Sequence, residues 1–252
     1  AVIGLDGAWL WVDGRYFLQA GAQLEGTTVE LMKMGEPGVP TLDAFLDSKL
    51  VKGDKLGFDG RVVSMDEGSL YEGIALKHGG CIEYSLDLID EIWIDRPPLS
   101  EKPAFELDVK YAGKTVADKL SDIREKMAAA EADMHVVTTI DDICWTLNIR
   151  GDDIDFFPLI LSYALMDDKA YHLYIDERKL SDEIKAHLTA DGVVLHPYND
   201  IYEDIKHIPA DAKLMLDASK VNYAMFCNIP DSVKKIDVMN PEMIFKNVKN
   251  PV

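Results

Sequence analysis

A chain of 252 residues has room for one large domain or two ordinary ones, and with 48% apolar residues it is able to bury a sizeable core. Its formal net charge of −19, from 45 acidic against 26 basic residues, repels phosphate backbones and anionic lipid, which argues against nucleic acid and membrane as partners. Cys81, Cys144 and Cys227 are far apart and odd in number. That argues against a disulfide framework and for a reducing, cytoplasmic setting. No apolar run approaches the ~20 residues that span a bilayer, and no basic-then-apolar signal segment opens the chain.

Val2–Leu5, Asp6-Gly7 and Trp9–Val12 read as strand, tight turn and strand, so the chain starts inside a hairpin and Ala1 is not expected to be the native start. Arg15–Leu24 carries Tyr16, Phe17, Ala20 and Leu24 at helical spacing, and Thr28–Met32 is β-branched and apolar, a strand. Thr41 looks like the N-cap of a helix over Leu42–Leu50. Leu56–Phe58 is a short strand, Met65–His78 a helix stopped by Gly79-Gly80, and Cys81–Tyr84 another strand. Arg96–Pro103 holds three prolines and reads as the linker.

Beyond it, Thr115–Ala130 is a strongly amphipathic helix through Val116, Leu120, Ile123 and Met127. Met134–Val137 is a strand, and Thr139 begins a short helix with Asp141 and Asp142 in its first turn. Strands at Leu159–Leu165, Tyr171–Ile175, Val193–Leu195, Leu214–Leu216 and Val233–Ile236 alternate with helices at Leu180–Leu188, Ile201–Ile205 and Val221–Cys227. The alternation predicts an α/β fold, a mixed sheet flanked by helices.

An internal repeat organises these elements. Tyr171-His-Leu-Tyr-Ile-Asp176-Glu-Arg178-Lys-Leu180 matches Ala8-Trp-Leu-Trp-Val-Asp13-Gly-Arg15-Tyr-Phe17, and Leu214-Met-Leu-Asp217 matches Leu56-Gly-Phe-Asp59. Two tandem copies of one domain are therefore expected: residues 1–98, a linker at 99–104, a second copy at 105–240, and a lead-out segment at 241–252. The first copy has no counterpart of residues 105 to 161, so about fifty residues are expected to precede Ala1. Because Asp13-x-Arg15 and Asp176-x-Arg178 recur, they are read as structural, each aspartate an N-cap and each arginine holding a strand-to-helix corner.

Phosphate-cradling glycine loops and a nucleophile elbow are absent. No pair among the six histidines has metal-ligand spacing, so each is read as a surface or capping residue. The cysteines are read as buried inert thiols. Asp152, Asp153 and Asp155 resemble a cation loop, but Phe156-Phe157-Pro158 breaks the required pattern, which favours a turn whose aspartates bond their own backbone. Arg150, ending the apolar run Trp145–Ile149, is either paired with Asp152 or Asp141 or aimed at a cleft. No catalytic or metal-binding residue is assigned in this chain.

Trp11-Val-Asp-Gly-Arg-Tyr-Phe-Leu-Gln-Ala20, Ile92-Trp-Ile-Asp-Arg-Pro-Pro98, Asp141-Asp-Ile-Cys-Trp-Thr-Leu-Asn-Ile-Arg-Gly-Asp-Asp-Ile154 and Phe245-Lys-Asn-Val-Lys-Asn-Pro-Val252 resemble, in order, the first two domains of three-domain Xaa-Pro aminopeptidases (aminopeptidase P, M24 metallopeptidases). The resemblance implies two creatinase/prolidase N-terminal-like domains with a ribonuclease H-like fold, the first incomplete at its start. It also implies a parent enzyme that removes an N-terminal residue preceding proline with two divalent metals, commonly manganese, held in a third domain that is absent here. The fragment is then expected to hold no cofactor, to be inactive alone, and to shape active-site access and subunit contacts. Its implied partners are its own catalytic domain, proline-containing peptides and a second copy in a homodimer. Arg150, Asp152 and Tyr163 are the candidates for facing the substrate mouth. The alternative is a peptidase-like protein-binding module of the histone-chaperone kind.

Overall fold

The computed structural model describes residues 1–249, which divide into two compact units. The first comprises residues 1–56 and 70–83, and the second residues 57–69 and those from 84 onward. Asn250, Pro251 and Val252, the end of the expected lead-out segment, lie outside the described residues.

The first unit opens with β1 (Val2–Ile3), β2 (Ala8–Val12), α1 (Phe17–Leu24) and β3 (Val29–Lys33). β2 is central in a three-stranded sheet, antiparallel to β1 and parallel to β3. α2 (Leu42–Lys49) follows, capped by Thr41, whose hydroxyl accepts from Ala44 N. β4 (Lys55–Gly57) and β5 (Cys81–Glu83) form a separate two-stranded sheet, and α3 (Met65–Lys77) lies between them in sequence and crosses the unit boundary. The core is small: Trp9, Met32 and Phe45, with the Trp9 and Phe45 rings 4.9 Å apart. Gly80 is required where it stands, because a Cβ there would lie 2.1 Å from the Asp54 carbonyl oxygen.

The second unit contains α4 (Leu88–Ile92) and then, after the irregular residues 96–104, β6 (Phe105–Glu106), α5 (Val109–Ala112), α6 (Val116–Ala129), β7 (Met134–Val137), α7 (Ile140–Thr146), β8 (Ile149–Arg150), β9 (Ser162–Met166) and β10 (Tyr171–Ile175). It continues through α8 (Asp182–Ala190), β11 (Val193–His196), α9 (Ile201–Asp204), β12 (Lys213–Leu216), α10 (Tyr223–Asn228), β13 (Lys234–Asp237) and α11 (Pro241–Phe245). Six strands form one mixed sheet in the order β11-β10-β9-β7-β12-β13, antiparallel where β9 meets β10 and β7, and parallel elsewhere.

Both faces of this sheet are covered, which is why its strands read as nearly continuous apolar runs. On one face, Leu120, Ile123 and Met127 of α6, Ile143 of α7 and Leu188 of α8 pack with Val137, Ala164 and Leu173. On the other, Ile201 and Met225 pack with Val136, Leu165 and Leu216. α6 follows the expected amphipathic spacing and cap, with Thr115 Oγ1 accepting from Asp118 N at 3.1 Å.

Three expectations change. Only Cys144 is buried, whereas Cys81 and Cys227 are exposed, one beginning a strand of the small two-stranded sheet and the other in α10, whose buried residues are Tyr223 and Met225. His135, expected at the surface, is fully buried, because β7 is an interior strand covered on both faces. Asp153 bonds Leu161 N and the Lys179 ammonium rather than its own turn. Among the described residues no helix is long and apolar enough to cross a membrane.

Leu173 has no exposed surface in the core between β10 and the α6–α8 layer, so Leu173→Ala is expected to cost ~2–5 kcal/mol in urea unfolding. Val194→Ala, at a half-exposed position on edge strand β11, is expected to stay within ~0.5 kcal/mol.

Candidate functional site

The segment from α7 to the start of β9 concentrates the unusual side chains of the second unit. Asn148 takes a left-handed φ of 52°, which asparagine tolerates better than most residues, and so turns the chain from α7 into β8. Its Oδ1 accepts from the buried Lys119 ammonium, which also donates to the Trp145 carbonyl at 2.6 Å and lies 4.2 Å from the centre of the Trp145 ring. Gly151 follows Arg150 because a Cβ there would sit 2.4 Å from Ile160 Cγ1. The next turn is closed by Asp153, whose buried Oδ2 accepts from Lys179 Nζ at 2.6 Å and from Leu161 N at 2.7 Å.

Arg150 is half-buried, and its Nη1 donates to the carbonyls of Cys144 at 2.6 Å and Ile149 at 2.9 Å. Neither acid expected to pair with it does so. Asp152 is held by Lys102 at 2.7 Å, and Asp141 is held by Lys246. Among the described residues Arg150 has no carboxylate partner, and burial pulls its guanidinium below the usual arginine range. Burial, then repulsion from Arg150 and Lys114, lowers Lys119 to about 8. In a chain of strong negative charge, this corner is therefore locally cationic and partly dry, suited to accept a carbonyl or carboxylate of a ligand.

Tyr163 is not brought to Arg150. Successive strand residues point to opposite faces: Ala164 and Met166 join the core that holds Cys144, whereas Tyr163 joins Leu165 on the other face. There its ring stacks on Tyr198 at 5.0 Å, and its hydroxyl lies 3.2 Å from that of Tyr202. The Arg61 guanidinium covers the Tyr202 ring at 4.4 Å and donates to Asn199 Oδ1 at 2.6 Å. A cavity of about 590 Å³, lined among others by Arg61, Ser64, Thr138, Tyr163 and Asn222, opens beside this cluster. Burial and the neighbouring tyrosines raise Tyr163 well above the ordinary phenol range. Lys119 lies three positions after Val116 on the apolar face of α6, so helical spacing could have placed it in the core, whereas Arg61 carries no periodic signal and meets its partners only in the folded chain.

The two aspartate corners have matching geometry. Asp13 accepts from Arg15 N at 2.9 Å and pairs with its guanidinium at 2.7 Å, while Asp176 accepts from Arg178 N at 3.1 Å and pairs at 2.6 Å. Both arginines are exposed, and Arg178 also bonds Glu101 at 2.6 Å. Among the described residues, no three His, Cys, Asp or Glu side chains are grouped so as to hold a metal ion. The two-metal centre implied by the resemblance therefore does not fit the residues described.

Lys119 titrates near 8 in the folded chain and near ~10.4 when unfolded, so between those values the unfolded chain binds more protons and stability rises with pH. Urea unfolding at pH 7 and pH 10 should show Lys119→Met gaining on the wild type at the lower pH and losing that advantage at the higher. A stability difference independent of pH would contradict the assignment.

Residues 95–252 match the creatinase/prolidase N-terminal domain. Over 238 residues the chain is 36% identical to Xaa-Pro aminopeptidase app-1 of Caenorhabditis elegans, covering 91% of this chain and 38% of that protein. It is 34% identical over 255 residues to a probable Xaa-Pro aminopeptidase P of Neurospora crassa, covering 100% of this chain and 37% of the relative. The crystal structure of the X-prolyl aminopeptidase of Caenorhabditis elegans, described as a cytosolic enzyme with a di-nuclear active site, superposes with a TM-score of 0.93 at 33% identity, over 99% of this chain and 42% of that one. The chain thus spans less than half the length of these relatives. It belongs to the creatinase/prolidase N-terminal domain family.

Proposed function

We propose that this chain is the non-catalytic N-terminal region of a metal-dependent Xaa-Pro aminopeptidase, where it shapes access to the active site and supports subunit assembly. The observation that carries the reading is the 0.93 TM-score at 33% identity along 99% of the chain with the Caenorhabditis elegans enzyme. The substrate is then a peptide with proline in second position, and the two divalent metals, manganese by preference, belong to a catalytic domain outside this chain. The parent acts as a cytoplasmic homodimer. No observation favours the alternative of a protein-binding module.

Within this reading the chain is two tandem creatinase N-terminal-like copies of ribonuclease H-like type, at residues 1–98 and 105–240. Both copies place the aspartate corner after a strand that is antiparallel to the one before it and parallel to the one after it. Further support comes from four backbone hydrogen bonds. Met65 N donates to Val221 O and Tyr223 N to Val63 O; Asp66 N donates to Ala218 O and Ala224 N to Gly60 O. Exchanging Val63 with Val221, Met65 with Tyr223, Gly60 with Ala218 and Asp66 with Ala224 turns each bond into its partner. These are the positions that correspond when Leu56–Asp59 is aligned with Leu214–Asp217.

Arg150 is the side chain we assign to the substrate mouth, since its guanidinium has no carboxylate partner among the described residues. Asp152, held by Lys102, follows it by two positions, whereas Tyr163 lies on the opposite face of the sheet and is not grouped with Arg150. Asp13, Arg15, Asp176 and Arg178 hold the corners.

The full-length gene product is expected to release the first residue of Xaa-Pro peptides and to lose that activity to a chelator; absence of such release in the metal-loaded protein would overturn the reading. In that enzyme Arg150→Ala should lower kcat/KM about tenfold or more, a loss of ~1.4 kcal/mol of transition-state stabilisation. Unchanged kcat and KM in a folded variant would remove Arg150 from the mouth.

A further inference from the structure

The six-stranded sheet buries an ion pair that the enzymatic reading does not use. His135 of β7 and Glu242 of α11 have no exposed surface, and His135 Nε2 lies 3.3 Å from Glu242 Oε2. The other ring nitrogen, Nδ1, lies 3.1 Å from the Met215 carbonyl oxygen of β12. A carbonyl only accepts, so Nδ1 carries a hydrogen. Nε2 and the carboxylate then meet with a proton between them or as two facing lone pairs. The observed seating of Glu242 therefore requires that one proton.

The surroundings offer little to replace it. α7 contributes Asp142, another buried acid, and β10 contributes the Tyr171 hydroxyl; β12 adds only the Met215 carbonyl. Glu242 Oε1 and Tyr171 Oη have no hydrogen-bond partner among the described residues, so in the seated arrangement the carboxylate receives no second side-chain donor. Lys246, one helical turn after Glu242, is committed to Asp141 and Asp142. Around the pair, Asn240 Nδ2 reaches Thr139 Oγ1 at 3.1 Å and Asp142 Oδ2 at 3.3 Å, and the Phe245 ring stacks on Trp145 at 6.4 Å. Residues 240–248 thus lie as a strap whose deepest contact is a charged one.

We propose that this strap is a proton-dependent clasp: one proton held between His135 and Glu242 seats α11 against α6 and α7, and its loss frees residues 240–248 while the six-stranded sheet stays folded. The sign of the dependence follows from the site. Burial disfavours a charged imidazole, but the Glu242 carboxylate and the Met215 carbonyl more than offset this and hold His135 above its ordinary value. The pair's contribution is complete below the unfolded value of ~6.5 and disappears as pH rises through the raised folded value. The clasp opens on the alkaline side.

Hydrogen exchange of this chain between pH 6 and 10, corrected for intrinsic rates, tests the clasp alongside an NMR titration of the His135 ring. Protection of the Lys246 and Val248 amides, which donate to Glu242 and Phe245 carbonyls, should fall by about tenfold or more as His135 titrates, with β7 and β12 unchanged. Glu242→Gln lets a carboxamide donate to neutral Nε2 and should abolish the step. The double variant His135→Phe/Glu242→Leu should also hold α11 at every pH, since a buried ion pair replaced by apolar groups is often neutral or stabilising. A His135 midpoint at or below ~6.5, protection independent of pH in the wild type, or an unchanged step in Glu242→Gln would each overturn the proposal.

Discussion

The second unit depends on a sheet that is dry on both faces. β7, β9 and β12 occupy interior positions in the six-stranded order, with α6, α7 and α8 covering one side and α9 and α10 the other. Water cannot satisfy polar groups in such a sandwich, so buried charges are stabilised by partners within the chain. That requirement accounts for the positions of the structure's unusual residues. Lys119 turns to carbonyl and amide oxygens, Lys179 meets Asp153, and His135 meets Glu242.

The two faces have different chemistry. The α6–α8 side concentrates ionised groups, with Lys119 and Arg150 left without carboxylates among the described residues while nearby acids are taken up by Lys102, Lys179 and Lys246. On the other side Tyr163, Tyr198 and Tyr202 share a hydroxyl and ring network beside Arg61. A cation near a half-buried surface without a counter-ion keeps its hydrogen-bonding capacity for something else, which is the physical content of assigning Arg150 to a mouth.

Much of this was legible in the sequence where the determinants are local. The apolar stripe of α6 and its Thr115 cap are set by residues within a few positions of one another, and the structure forms them as read; Asp13 and Asp176 instead cap short 3-10 turns, the helix α8 being capped by Ser181. Pairings between distant segments were not legible. His135 and Glu242 are separated by 107 positions, and a lone histidine carries no periodicity that would announce its partner. The available signal was its place in Met134-His-Val-Val137, where a strand covered on both faces leaves no solvent for any side chain. Arg150 shows the same limit: two acids close in sequence were plausible partners, but strand pairing of β6 with β8 and the turn after Gly151 send Asp152 to Lys102 instead.

The account stands or falls on whether the α7–β8 corner faces substrate in the parent protein. A structure of the full-length protein with a bound Xaa-Pro peptide analogue measures this directly. The account predicts the Arg150 guanidinium within hydrogen-bonding reach of the bound peptide, directly or through one water. An Arg150 turned away from the ligand, still donating only to the Cys144 and Ile149 carbonyls, would contradict it.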